Sequence, residues 1–204
     1  MKAKLQTNLK KTAPNLLTLL RLALACWLVF QVASHFDAVA APLVASALIY
    51  LTDFLDGRLA RRWGCPSRFG MIFDVAADFF YITSFNLTLV AYGVLPLWYA
   101  AAVACKFLEF LVTSAYMNQR RVEKQGFVFD RIGKITAAGF YALPLAAYLC
   151  SVLSPSLYQV VNPYGLVGVV GMAVVSSAWR IASCIGWTIP PGAFSRHAMN
   201  YPPK

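Results

Sequence analysis

Charge is scarce in this sequence. Only 13% of its 204 residues are Asp, Glu, Lys or Arg, against about 25% in soluble domains. A water-facing surface of the usual kind cannot be built from that, so a soluble globular domain is excluded. Histidine is rarer still: His35 and His197 are the only two. Both are expected outside a membrane core and away from the acids, which leaves no imidazole set for zinc. The five cysteines, Cys26, Cys65, Cys105, Cys150 and Cys184, show no CxxC spacing. They read as small apolar packing residues, with Cys65 a loop thiol, and not as a metal site or a disulfide framework. Low-complexity tracts and clear internal repeats are missing as well.

Apolar residues fill the space. They make up 59% of the chain, and the mean hydropathy is +0.60. They fall in runs close to the ~20 residues needed to cross a bilayer. The pattern predicts an all-α, polytopic membrane protein with six transmembrane helices, at roughly 14–35, 39–60, 71–93, 95–117, 134–153 and 165–186. Residues 1–204 are expected to form one transmembrane domain, with a cytosolic N-terminal segment (1–13) and a cytosolic tail (187–204). Gly93, Pro96, Pro155, Asn162 and Pro163 are expected between spans. Trp98, Tyr99, Tyr158, Tyr164 and Trp187 are expected near the interfaces, where amphipathic rings prefer to sit. The first run follows a basic stretch, as a signal peptide does. It is longer than an h-region and has no convincing cleavage site, so it reads as a retained span.

The net charge is +10. With this layout, 15 of the 18 Lys and Arg residues fall in the terminal segments, in the even-numbered connections or, for Arg58 and Lys134, at the span ends beside those connections. The other three, Arg21, Lys106 and Arg180, lie inside spans. That one-sidedness is the positive-inside pattern and places both termini in the cytosol. Basic residues beside spans attract anionic headgroups by about 1 kcal/mol each. Membrane lipids thus account for the charge, and no nucleic-acid partner is expected.

The exceptions to the apolar pattern carry the chemistry. One Asp, Lys or Arg at the centre of a span costs roughly 2.5–3.5 kcal/mol on insertion scales. Arg21, Asp53, Asp56, Arg58, Asp74, Asp78, Lys106, Glu109 and Arg180 lie within spans or at their ends. Alternating spans place all of them in the cytosolic half or near the midplane, which predicts a polar cavity facing the cytosol. Asp53 and Asp56 are three apart and Asp74 and Asp78 four apart, so each pair shares a helix face. The stretch from Gly57 to Gly70 turns the two faces toward each other. Four clustered carboxylates would partly protonate unless cations joined them, and oxygen-only donors suit Mg²⁺ or Mn²⁺. Gly57 and Gly70 leave backbone open to a ligand, Ala60 keeps the same face low, and Arg61 can reach a phosphate. A helical hairpin stapled by Asp–Arg pairs is the plainer alternative, but four acids and two placed glycines exceed what it needs.

The run from Asp53 to Asp78 reads D-x2-D-G-x2-A-R-x8-G-x3-D-x3-D. It resembles the signature of the CDP-alcohol phosphatidyltransferases, with every fixed position present. Pro14-Asn15-Leu-Leu-Thr18-Leu-Leu-Arg21 is similar to the start of the first span in bacterial members, and Gly133-Lys134-Ile-Thr136 to the start of their fifth. The resemblance implies metal-dependent transfer of a phosphatidyl group from CDP-diacylglycerol to the hydroxyl of a small alcohol, releasing CMP, in phospholipid biosynthesis. It implies Asp53, Asp56 and Asp74 as ligands of two Mg²⁺ or Mn²⁺ ions, with Asp78 as general base and further ligand. Asp53, Asp56, Gly57, Ala60, Arg61 and Gly70 would bind the cytidine diphosphate portion. It further implies a homodimer, in the bacterial cytoplasmic membrane.

Glycerol 3-phosphate is the first expectation for the acceptor, with inositol phosphate, serine or a lipid alcohol as alternatives. A phosphorylated acceptor needs cations, and Arg131, Lys134 and Arg180 are the candidates because they sit at or within spans. Lys106 and Glu109, three apart, are expected to neutralise each other; bacterial members that use glycerol phosphate tend to carry an Arg-Glu pair in this region, so Lys106 is a departure. Two other classes stay open: an intramembrane cation transporter and a non-catalytic CDP-lipid binding protein. The first lacks an outward polar route, since Asp37 is the only charge in the outer half. The second gives no reason for a complete set of four acids.

Overall fold

Every apolar run is a helix in the computed structural model, which describes residues 2–63, 68–119 and 131–185. Among these, the side chains of residues 2–14, 56, 57, 59–63, 68, 69, 118, 119, 131, 183 and 185 lie outside the described set. The helices are α1 (Lys2–Ser34), α2 (Ala40–Trp63), α3 (Arg68–Ala91), α4 (Leu97–Gln119), α5 (Arg131–Leu153) and α6 (Pro155–Ile185). Five contain a stretch long and apolar enough to cross a bilayer. In α2 the apolar stretch among the described residues is Ala40–Leu55, with Asp53 inside it. Large apolar side chains such as Leu16, Phe30, Leu108, Val112, Val167 and Val174 are exposed on these helices. Acyl chains cover such side chains at no cost, whereas water would not. The protein is an integral, polytopic membrane protein of six helices.

The span expected at 14–35 is found at Asn15–Ser34, and helix α1 extends it back to Lys2; once nucleated, a helix gains one backbone hydrogen bond per added residue and runs on through the basic segment. One boundary differs from the sequence reading. Helix α6 starts ten residues before the expected 165. Pro155, Asn162 and Pro163, expected between spans, belong to it. Pro155 stands at the first helical position, where its missing N–H is not needed, directly after Ser154, the single residue between α5 and α6. The Tyr158 N–H donates to the Ser154 carbonyl at 3.0 Å, closing the first turn. Gly93 and Pro96 do mark a turn: Gly93 has φ 71°, the left-handed region that glycine adopts freely. The Tyr99 N–H donates to the Pro96 carbonyl at 3.0 Å to open α4.

The chain divides into two compact units, Met1–Tyr92 and Gly93–Lys204. In the first, α1 packs against α2 and α3. Its buried stripe runs Thr18, Arg21, Ala25, Leu28, Val32, the three-and-four spacing of one helix face. Facing residues include Ala45, Ser46 and Ile49 of α2 and Ala77, Tyr81, Phe85 and Leu89 of α3. The stripe is apolar toward the α1–α2 turn and polar at Thr18 and Arg21. Phe36 stacks on Tyr92 at 4.6 Å, and the Tyr92 hydroxyl donates to the Ala33 carbonyl at 2.7 Å, tying that end together.

In the second unit α6 packs against α5 and α4. Gly165 abuts Leu143, and a Cβ at Gly139 would sit 3.0 Å from Val169, so glycine permits close approach of α5 and α6. Gly168 and Gly171 meet nothing within 4 Å. The hydroxyl of Tyr158 and the amide of Asn162 both donate to the Val94 carbonyl, at 2.7 and 3.2 Å.

Candidate active site

The polar end of the first unit gathers three of the four signature acids. Asp53 continues the inward face of α2 one turn past Ile49, and Asp74 and Asp78 continue that of α3 one turn before Ala77 and Tyr81. One carboxylate oxygen from each of Asp53, Asp74 and Asp78 lies within 4.8 Å of the other two. These side chains are 47%, 38% and 27% exposed, so the cluster opens outward and is not sealed in the core. Asp56, Gly57, Ala60 and Arg61 fall within α2, with side chains outside the described residues. Gly70 lies in the first turn of α3, half-buried.

The residue that sequence reasoning did not assign to this cluster is Arg21. Its side chain is fully buried, and its Nη1 lies 3.2 Å from Asp53 Oδ1, 2.7 Å from Asp74 Oδ1 and 2.6 Å from Asp78 Oδ1. The two shorter contacts are charge-assisted hydrogen bonds. A signal was present in the sequence: a lone arginine in a span must find a counter-charge, and the signature acids were placed at its depth. Directly beneath, Tyr50 and Tyr81 stand one turn from Asp53 and Asp78, their rings edge to face at 6.4 Å.

A second polar cluster lies within the other unit, between α4 and α6. Lys106 and Glu109 do pair, Nζ to Oε2 at 2.6 Å, as their spacing predicted. Ser176 and Ser177 accept from Lys106 at 3.1 and 2.9 Å, and Ser177 also lies 3.1 Å from Glu109 Oε2. Arg180 is 1% exposed. It donates to Thr113 at 2.6 and 3.0 Å, to Ser114 at 3.0 Å and to the Phe110 carbonyl at 3.3 Å, and lies 3.4 Å from Glu109 Oε1. Its guanidinium also covers the Phe110 ring at 4.9 Å. Lys134 is exposed on the first turn of α5, while the side chain of Arg131 lies outside the described residues.

Whether the acids suit a metal ion can be judged from their chemistry. All three donors are carboxylate oxygens, the hard ligands that Mg²⁺ and Mn²⁺ prefer. Octahedral Mg²⁺ at about 2.1 Å needs ligand oxygens about 3 to 4.2 Å apart, so a spread of up to 4.8 Å closes with small side-chain rotations. The donor set fits.

Known proteins point the same way. The family description CDP-alcohol phosphatidyltransferase matches residues 11–182. A Streptomyces coelicolor protein named cardiolipin synthase (CMP-forming) is 36% identical over 149 residues, covering 70% of this chain and 67% of its own. A Mycobacterium tuberculosis protein named probable phosphatidylglycerophosphate synthase is 32% identical over 143 residues, 66% of this chain and 68% of its own. A Pectobacterium atrosepticum protein named CDP-diacylglycerol–glycerol-3-phosphate 3-phosphatidyltransferase is 46% identical over 69 residues, 32% of this chain and 36% of its own. With the signature spacing complete and the match reaching from α1 into α6, the chain belongs to the CDP-alcohol phosphatidyltransferases and is a membrane enzyme of that family.

Proposed function

We propose that this enzyme, as a single domain over residues 1–204, transfers a phosphatidyl group from CDP-diacylglycerol to a glycerol hydroxyl, releasing CMP. The observation that carries the reading is the convergence of Asp53, Asp74 and Asp78 from two helices onto one point. In this reading Asp53, Asp56, Asp74 and Asp78 hold two divalent ions, Mg²⁺ or Mn²⁺, which when bound neutralise the diphosphate and stabilise the CMP leaving group. Charge supports two ions over one. Four carboxylates less one guanidinium leave three negative charges, and the diphosphate diester brings two more. Two divalent cations reduce that total to a single charge.

The chain's own residues supply the rest. The family resemblance assigns Gly57, Ala60 and Arg61 of α2 and Gly70 of α3 to the cytidine diphosphate portion. Asp78, the least exposed of the three described acids, takes the proton from the acceptor hydroxyl as it attacks the β-phosphorus. The bond to the CMP oxygen breaks as the new ester bond forms, with no covalent enzyme intermediate. The one-sided basic residues support a site that faces the cytosol; in this reading the membrane is the bacterial cytoplasmic membrane and the protein acts as a homodimer.

For the acceptor we favour glycerol 3-phosphate, with Arg131 and Lys134, three apart in the sequence, as the candidate cations for its phosphate. Arg180 serves better as the anchor of the α4–α6 network, since its donors already have buried acceptors. The second reading is the glycerol headgroup of phosphatidylglycerol, favoured by the relative named cardiolipin synthase. CMP release by the purified protein from CDP-diacylglycerol, with each acceptor supplied separately, separates them. Release that requires glycerol 3-phosphate supports the first, and release that requires phosphatidylglycerol supports the second. No release with any acceptor, from folded protein that binds CDP-lipid, would point to a binding role.

A further inference from the structure

The acid cluster contains its own cation. One nitrogen, Arg21 Nη1, contacts the Oδ1 atoms of Asp53, Asp74 and Asp78 at 3.2, 2.7 and 2.6 Å. Those distances exceed a Mg–O bond of about 2.1 Å by only about an ångström or less, so the nitrogen stands close to where an ion joining the same three oxygens would stand. The two cannot occupy that point together. Arg21 bridges from α1 to the acids of both α2 and α3, so it fastens three helices where their apolar packing ends.

We infer that Arg21 is a built-in counter-ion for the metal site, holding the three carboxylates together when divalent metal is absent and yielding their shared oxygens to metal when it binds. This rests on the reading that the acids bind divalent cations. Arg21 is here a positioning residue that acts through the acids it touches. A fixed brace would be different, because a guanidinium that never left would preorganise the carboxylates and its removal would weaken metal binding. A competitor has the opposite sign, since deleting it removes a positive charge from the spot the ion must take. The neutral variant should therefore be less stable without metal and bind metal more tightly.

The test is Mn²⁺ binding to the purified, substrate-free protein in detergent, followed by EPR, with thermal unfolding in EDTA and in saturating Mn²⁺. Arg21→Gln should unfold several degrees lower than wild type in EDTA, bind Mn²⁺ about tenfold or more tightly, and regain most of the lost stability when Mn²⁺ is added. Arg21→Lys keeps a charge but reaches fewer carboxylates at once. It should fall between the two in both measurements, and it carries the test if the Gln variant does not fold. Equal or weaker Mn²⁺ binding by the folded variant overturns the competition. If wild type binds no Mn²⁺ that Asp74→Asn abolishes, the metal-site reading falls and this inference with it. If wild type binds and the variants do not tighten, only the inference falls.

Discussion

Glu109 is the anion of a cluster that holds two cations, and replacing it by Gln measures what that carboxylate does. Its two oxygens lie 2.6 Å from Lys106 and 3.4 Å from Arg180, and the three side chains are 18%, 10% and 1% exposed. Removing one partner of a buried ion pair typically costs about 3–5 kcal/mol. Here the hydroxyls of Thr113, Ser114, Ser176 and Ser177 continue to solvate the cations. Polar contacts within membrane bundles also average only about 0.6 kcal/mol, because the unfolded chain finds other partners. Between these limits the expected loss is about 2 kcal/mol. Lys106→Met alone should lose less, about 1 kcal/mol, since Glu109 keeps Arg180. The double variant should lose about 2 kcal/mol, like Glu109→Gln, since Arg180 again lacks its carboxylate, leaving a coupling of about 1 kcal/mol, as expected for residues in one network. Reversible unfolding in mixed detergent measures all three. Strict additivity, or a Glu109→Gln protein as stable as wild type, would refute mutual neutralisation. CMP release per folded molecule should change less than about twofold; a large loss at unchanged stability would assign the pair to substrate contact instead.

Other outcomes follow from the same geometry. Asp78→Asn should lower CMP release by about 10²- to 10⁴-fold, the usual worth of a general base, while CDP-lipid binding measured by calorimetry persists; retained turnover would remove the base from Asp78. EDTA should abolish release and added Mg²⁺ or Mn²⁺ restore it, whereas activity undiminished by thorough chelation would exclude the metal-dependent reaction. Gly165→Val should destabilise by about 1–3 kcal/mol, the usual cost of overpacking, because its side chain would meet Leu143. Gly171→Ala meets nothing within 4 Å among the described residues and should be neutral or gain a few tenths of a kcal/mol from helix propensity; a Gly171→Ala loss of dimer, seen by light scattering, would place a subunit contact there.

Much of this molecule is set by periodicities that a linear reading can see. The number of helices follows from apolar length, because an unpaired backbone in lipid leaves no other solution. The sharing of one face by Asp53 and Asp56, and by Asp74 and Asp78, follows from helical spacing, and the Lys106–Glu109 pair from the same rule. Tertiary structure decided what depends on partners distant in sequence. Arg21 meets Asp74 and Asp78, 53 and 57 residues away, and Arg180 meets Thr113 across 67; no local pattern states which buried cation will join which anion. Pro155 and Pro163 read as breaks between spans; α6 opens on the first and runs through the second. Inside a helix proline removes its own N–H and crowds the carbonyl one turn back, and whether the helix absorbs that is settled by what packs beside it.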